Sequence, residues 1–173
     1  MTTSINSILE NNGNKDDLIA LFFDKNLPVD DIEDDLVYTL LKSSDIVNDV
    51  TTARKKVIIT QNFVNQDTEY IKYCYPKTWK YLIDHIDYFL KRKSSVYKNK
   101  PLFSIFSIGE YSFLPYKIAI SSLYKKICFQ LIMPDDNKPV MVDDTCNYIS
   151  FETETEARFV YSLLISKTVE VYL

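Results

Sequence analysis

Apolar and polar positions alternate along this chain with two periods, and the changes between them mark out its elements. Near the start, DDLIALFFDKN (16–26) has helical spacing. DDIEDDLVYTLLKSSDI (30–46) then passes from a charge run into an apolar run that predicts a strand ending at Lys42. RKKVIITQNF (54–63) reads as a buried strand with a basic lead-in. From Asp67 to Lys93 the pattern is helical, with Tyr70, Ile71 and Cys74 or Tyr75 as one short stripe. Pro76 opens a second helix, where Trp79, Leu82, Ile83, Ile86, Phe89 and Leu90 recur on one face. Lys91-Arg92-Lys93 close it with cations, which the helix dipole favours at that end. Short β-like runs follow at 102–109, 116–123, 127–133, 139–142 and 147–151, with turns at Gly109-Glu110 and PDDNKP, and their close spacing predicts an antiparallel meander. A last helix starts at the capping box Thr153-x-x-Glu156, followed by Ala157, Val160, Tyr161, Leu164 and Ile165. Strands between helices predict an α+β fold, a mostly antiparallel, twisted sheet with flanking helices.

Composition narrows the function classes. With 173 residues, 46% apolar and 14% aromatic, the chain is globular and long enough for a real core. No stretch of about 18 apolar residues predicts a membrane span, and MTTSINSILENN lacks a signal-peptide core, so no membrane partner is expected. Cys74, Cys128 and Cys146 are widely spaced and odd in number, which predicts buried free thiols in a reducing cytoplasm. The single histidine, His85, excludes zinc-ligand spacing, and no metal is expected. Gly13 and Gly109 are the only glycines, too few for the loops that bring backbone against phosphates in dinucleotide, P-loop and kinase sites.

Charge then changes the picture. Residues 1–50 hold eleven acids against three lysines, and the acidic segment 1–34 reads as partly helical and separate from a domain over 35–173. The whole chain carries a formal −4, yet residues 91–126 contain eight Lys or Arg against one acid, Glu110. Tyr, Phe, Ser and Asn lie between those cations, the chemistry that suits a phosphodiester backbone and base edges. The stretch divides into Arg92-Lys93-Ser94-Ser95-x-Tyr97-Lys98 at a helix exit and Ser107-x-Gly109-Glu110-Tyr111-Ser112-Phe113 at a turn. Hydroxyls and lysines suit phosphate, and Tyr or Phe can stack on a base.

Other constellations compete with blander roles. Lys42-Ser43-Ser44-Asp45 ends a predicted strand in groups able to meet bases, but Asp45 equally serves as a helix cap. Pro134-Asp135-Asp136-Asn137-Lys138 imitates a nuclease core, although its charges crowd one hydrophilic run as in a solvated turn. Asp143-Asp144-Thr145 could hold a divalent cation or cap a turn. His85, between Asp84 and Asp87, has no nucleophile near it in sequence.

The string itself resembles a family. RKSSVYKNKPLFSIFSIGEYSFLPYKIAISSLYKK (92–126) and KPVMVDDTCNYISFETETEA (138–157) are similar to the C-terminal, Taq-like target-recognition domain of adenine-specific DNA methyltransferases of type II restriction–modification systems. VYTLLKSSDI (37–46) and VIITQNFVNQDTEYIKYCYPKTWKYLIDH (57–85) fit the same family in order, so the likeness runs from about Asp35 to Ser166. It implies sequence-specific binding of double-stranded DNA beside a catalytic domain or chain that uses S-adenosylmethionine on a flipped base. The chain departs from the family in lacking any Pro-Pro pair of an [ND]PP[YF] motif and nearly all glycine. Catalytic and cofactor-binding residues are therefore not carried over, and the chain alone is expected to be inactive. Family glycines stand as Ser107 and Ser122 here, and the ending VEVYL implies a C-terminal truncation.

On this reading Lys42, Ser43, Ser44 and Asp45 approach DNA near the target. Arg92, Lys93, Ser94, Ser95, Tyr97 and Lys98 clamp the backbone, and Tyr111, Ser112 and Lys117 lie at the groove. The planar fork of Arg92 suits guanine or phosphate best. Five or so phosphate contacts would give a log–log salt slope of roughly −4 to −5. The alternatives are a protein-interaction remnant of such an enzyme and a magnesium-dependent nuclease using Asp135, Asp136 and Lys138 or Asp143 and Asp144.

Overall fold

A computed structural model describes residues 22–24, 32–48, 55–122 and 127–170. The order is β1 (Phe22–Asp24), a 3-10 turn (Asp34–Leu36), β2 (Val37–Leu41), α1 (Ser43–Val47), β3 (Lys55–Ile58), α2 (Tyr70–Cys74), α3 (Pro76–Asp84) and α4 (Ile86–Leu90). Two more 3-10 turns (Ser95–Tyr97, Glu110–Phe113) lead to β4 (Tyr116–Ser121), β5 (Phe129–Ile132), β6 (Met141–Val142), β7 (Cys146–Phe151), α5 (Glu154–Leu164) and α6 (Lys167–Glu170). The fold is α+β, as the pattern predicts. The chain forms two compact units, the first from Met1–Val37 and Lys56–Ile108, the second from Tyr38–Lys55 and Gly109–Leu173.

The first unit buries Leu36, Val37, Ile58, Ile71, Leu82 and Phe103 around an aromatic centre. Trp79 and Phe89 meet the Phe103 ring edge-on, with centroids 5.4 and 4.9 Å away. Each such buried side chain contributes about 1.5–3 kcal/mol of transfer free energy. β1 lies beside β3, so Phe22–Asp24 are strand where the spacing predicted helix; the rest of the 16–26 run lies outside the described residues. The first amides of α3 are capped from afar. Glu33 accepts bonds from Lys77 N (2.9 Å), Thr78 N (2.7 Å) and the Thr78 hydroxyl (2.6 Å). Burial raises the Glu33 pKa, but these bonds outweigh it and hold the carboxyl below its ordinary range.

Two expectations for this unit need correction. The helix predicted from Pro76 to Leu90 breaks at His85, which separates α3 from α4. The His85 ring donates from Nδ1 to Tyr81 O at 2.7 Å, taking the carbonyl its own amide would use in a continuous α-helix. That amide turns to Leu82 O instead, at 3.2 Å. The predicted strand at 102–109 is a set of turns. Its backbone is satisfied by side chains rather than a ladder: Thr60 Oγ1 donates to Phe103 O (2.6 Å), and Ile105 N donates to Gln61 Oε1 (3.0 Å).

In the second unit, β5, β4 and β7 form an antiparallel sheet in that order, with Ala119 facing Gln130 and Tyr148 across the two ladders. β6 leaves the expected meander and pairs parallel with β2, Leu40 opposite Met141 and Leu41 opposite Val142. The intervening turn has positive φ at Asp136 (48°) and Asn137 (63°), the two central residues of a type I′ hairpin between Asp135 and Lys138. The core collects Leu41, Ile46, Ala119, Ile132, Val140 and Cys146. α5 begins where the capping box predicts, with Thr153 Oγ1 accepting from Glu156 N at 3.3 Å.

Candidate nucleic-acid interface

The basic segment leaves α4 in the first unit. Lys91, Lys93, Ser95 and Lys98 are exposed along it, and Ser94 accepts from Val96 N to cap the 3-10 turn. Arg92 faces the other way. Its guanidinium donates to Ser104 O at 2.7 Å, to Leu102 O and to Phe89 O, and it stacks 4.0 Å from the Tyr97 ring centroid. Phe89 flanks it at 4.8 Å. Burial lowers the Arg92 pKa, with Tyr97 opposing the shift. The fork that sequence assigned to guanine or phosphate is therefore spent on three carbonyls of its own chain, and Arg92 ties the basic segment to the 102–104 turn. Lys100 reaches Asn65 Oδ1.

In the second unit the predicted groove residues separate by depth. Tyr111 is exposed, and its ring lies over Gly109, where an added Cβ would come within 2.8 Å of ring carbon Cε1. Ser112 is buried and shares a 3.2 Å hydrogen bond with the Tyr148 hydroxyl. Lys117 is only 1% exposed on β4, and its ammonium donates to Leu114 O at 2.8 Å. Burial pushes the Lys117 pKa down to about 8. Ser112 and Lys117 thus fix the turn that presents Tyr111, while their own polar atoms are enclosed.

The Lys42–Asp45 corner also belongs to the second unit. Ser43 is buried, its hydroxyl 2.6 Å from both Thr145 O and Thr145 Oγ1. Asp143 Oδ1 accepts from Thr145 Oγ1 (2.6 Å) and Thr145 N (3.2 Å), and Asp143 N donates to Leu41 O at 3.0 Å. Asp45 accepts from Lys42 N at 2.8 Å, the capping role weighed against a DNA contact. Ser44 is exposed and Lys42 half-buried. Burial lowers the Lys42 pKa, as does the neighbouring ammonium of Lys55, while Asp143 and Asp45 pull it back. Lys55, in the basic lead-in RKK, is a neighbour of Lys42 that the sequence reading did not single out. The thirteen residues named from sequence therefore divide between the units. Arg92, Lys93, Ser94, Ser95, Tyr97 and Lys98 fall in the first, and Lys42, Ser43, Ser44, Asp45, Tyr111, Ser112 and Lys117 in the second.

Two of the acids weighed for catalysis, Asp135 and Asp143, accept hydrogen bonds from neighbouring threonines. Among the described residues, no three of His, Cys, Asp and Glu gather to hold a metal ion. Asp135 accepts from the Thr39 hydroxyl at 2.5 Å and closes the hairpin turn with Lys138. Burial pushes the Cys146 thiol up to about 12, against the lowering bonds of Ser43 and Thr145, so it is no nucleophile at neutral pH. Among the described residues no helix is long and apolar enough to cross a membrane.

Comparison with known proteins supplies the context for this geometry. Residues 1–53 match the family model described as type II restriction enzyme NspV. Over 137 residues, 79% of its length, the chain is 42% identical to the type II methyltransferase M.NspV of Nostoc sp.. Both similarities are to proteins of type II restriction and modification. A 33-residue stretch is also 67% identical to the type II restriction enzyme NspV of the same Nostoc strain. These matches span 28% of the methyltransferase and 15% of the restriction enzyme.

Proposed function

We propose that this chain is the DNA-binding, target-recognition part of an adenine-specific methyltransferase from a type II restriction–modification system. The observation that carries the reading is the 42% identity over 137 residues with a type II methyltransferase. That likeness covers a stretch presenting exposed Lys91, Lys93 and Lys98 on a segment pinned by Arg92. The exposed lysines would contact phosphates, Ser94, Ser95 and Tyr97 would shape that contact, and Tyr111 would lie at the groove. Arg92, Ser112 and Lys117 would act by holding these groups in place.

The partner is double-stranded DNA together with a methyltransferase catalytic domain or chain. S-adenosylmethionine would bind to that catalytic part, since this sequence has no Pro-Pro motif and two glycines. Selection of binders from a duplex library with a randomised centre tests the reading. It predicts enrichment of one short sequence, and a selected pool no richer than the starting one would contradict it. A second reading, an assembly role, draws on the apolar residues that α5 and the turn after it leave in water, Phe159 (64% exposed), Leu163 (51%) and Ile165 (56%).

A further inference from the structure

We infer that the corner between β2 and α1, through Lys42 and Ser44, is the element that reads bases, and that the basic segment at 91–98 supplies affinity without sequence preference. The inference rests on the target-recognition reading above. Its first support is where the two similarities overlap. A continuous match of 137 residues in a chain of 173 cannot begin later than residue 37, and the restriction-enzyme match runs through residue 53. Residues 37–53 therefore resemble a methyltransferase and a restriction enzyme at once. Those two activities differ in chemistry. They share one requirement, because methylation protects a site from cutting only when both enzymes read the same bases. A stretch common to both is where that shared reading belongs.

The geometry of the corner suits the task independently. A side chain that discriminates bases must be held within a fraction of an ångström by its surroundings. Here Ser43 is locked to Thr145, Asp143 ties the β6 exit to Leu41 O, and Ile46 is fully buried beneath. From that support Ser44 projects into solvent, and Lys42 stands with the Lys55 ammonium beside it. A lysine donates to guanine O6 or N7, and a serine hydroxyl pairs with either kind of base edge. The Lys42 amide is already engaged by Asp45, so the readers are side chains rather than backbone. The 91–98 segment has the opposite character, with flexible exposed lysines acting as point charges.

The test uses the full chain, the duplex enriched from the random library, and a set of duplexes each altered at one base pair. Lys42→Gln and Ser44→Ala should each lower discrimination by about 5- to 150-fold at one or two positions while affinity for scrambled duplex moves far less. The paired Lys93→Gln/Lys98→Gln variant should weaken selected and scrambled duplexes by equal factors. Because Lys42 and Ser44 lie outside both buried clusters, circular dichroism should match wild type for both variants. If wild type discriminates and both corner variants keep its full discrimination, the assignment to this corner is overturned while the target-recognition reading stands. If wild type itself enriches no sequence, both fall together.

Discussion

Lys117 shows what one buried charge costs. Among the described residues its ammonium bonds one carbonyl, Leu114 O, in a nearly closed site, and burial brings its pKa from 10.5 down to about 8. A folded-state pKa below the unfolded one means that the unfolded chain binds more protons between those values. Stability should therefore rise with pH from about 8 to 10.5, by on the order of 3 kcal/mol. Lys117→Met should flatten that rise and stabilise the protein at pH 7, as denaturant titrations at several pH values would show. Ser107 carries a different strain, holding φ 54° where the resembled family has glycine. Left-handed backbone costs a non-glycine residue about 1–2 kcal/mol, against about 0.5–1 for the greater entropy a glycine loses. Ser107→Gly should thus stabilise by about 0.5 kcal/mol, read as a raised Tm. The residue types were legible in sequence but not their depth. Lys117 and Tyr111 share one basic, aromatic stretch, and only the register of β4 sends the first inward.

At the scale of elements, the segment from Arg92 to Ser104 depends on one side chain. If Arg92 touched phosphate, removing it would lower the salt slope of DNA binding by about one contact. As a brace, Arg92→Ala should leave the slope nearly unchanged and cost about 2–4 kcal/mol, because three carbonyls and the face of Tyr97 lose their partner. Thermal melts and salt titrations of the same variant separate the two. Arg92→Lys should rescue little, since an ammonium cannot span carbonyls arranged for a planar fork. Glu33 gives a second element-level prediction. Its lowered pKa means that the cap on α3 is fully formed above the ordinary carboxylate range and lost as pH falls through the folded value. Glu33→Gln should lower stability at pH 7 by about 1 kcal/mol and remove that part of the acid sensitivity. Elements whose partners are local were readable: the α5 cap, the hairpin turn at Asp136-Asn137 and strands β4, β5 and β7. Those decided at long range were not. Periodicity at 102–109 reads as strand, but Thr60, Gln61 and Arg92 supply the hydrogen bonds a ladder would have made.

Across the whole molecule, two cores and one uneven charge distribution remain to be joined to function. A chain of formal −4 has no general attraction for DNA, so on the proposed reading affinity would come from where its cations are placed. Sequence counted eight cations in one stretch; depth subtracts Arg92 and Lys117, Lys100 is engaged by Asn65, Lys125 and Lys126 lie outside the described residues, and exposed Lys91, Lys93 and Lys98 remain, with Lys42 on its corner. The expected contacts fall from about five to three or four, and the salt slope from roughly −4 to −5 to about −3 to −4. The decisive measurement is duplex affinity as a function of salt for wild type and for Lys91→Glu/Lys93→Glu/Lys98→Glu together. The account predicts a wild-type slope near −3 to −4 that collapses toward about −1 in the charge-reversed protein. A wild-type slope near zero, or a reversed variant that keeps the wild-type slope, would contradict it.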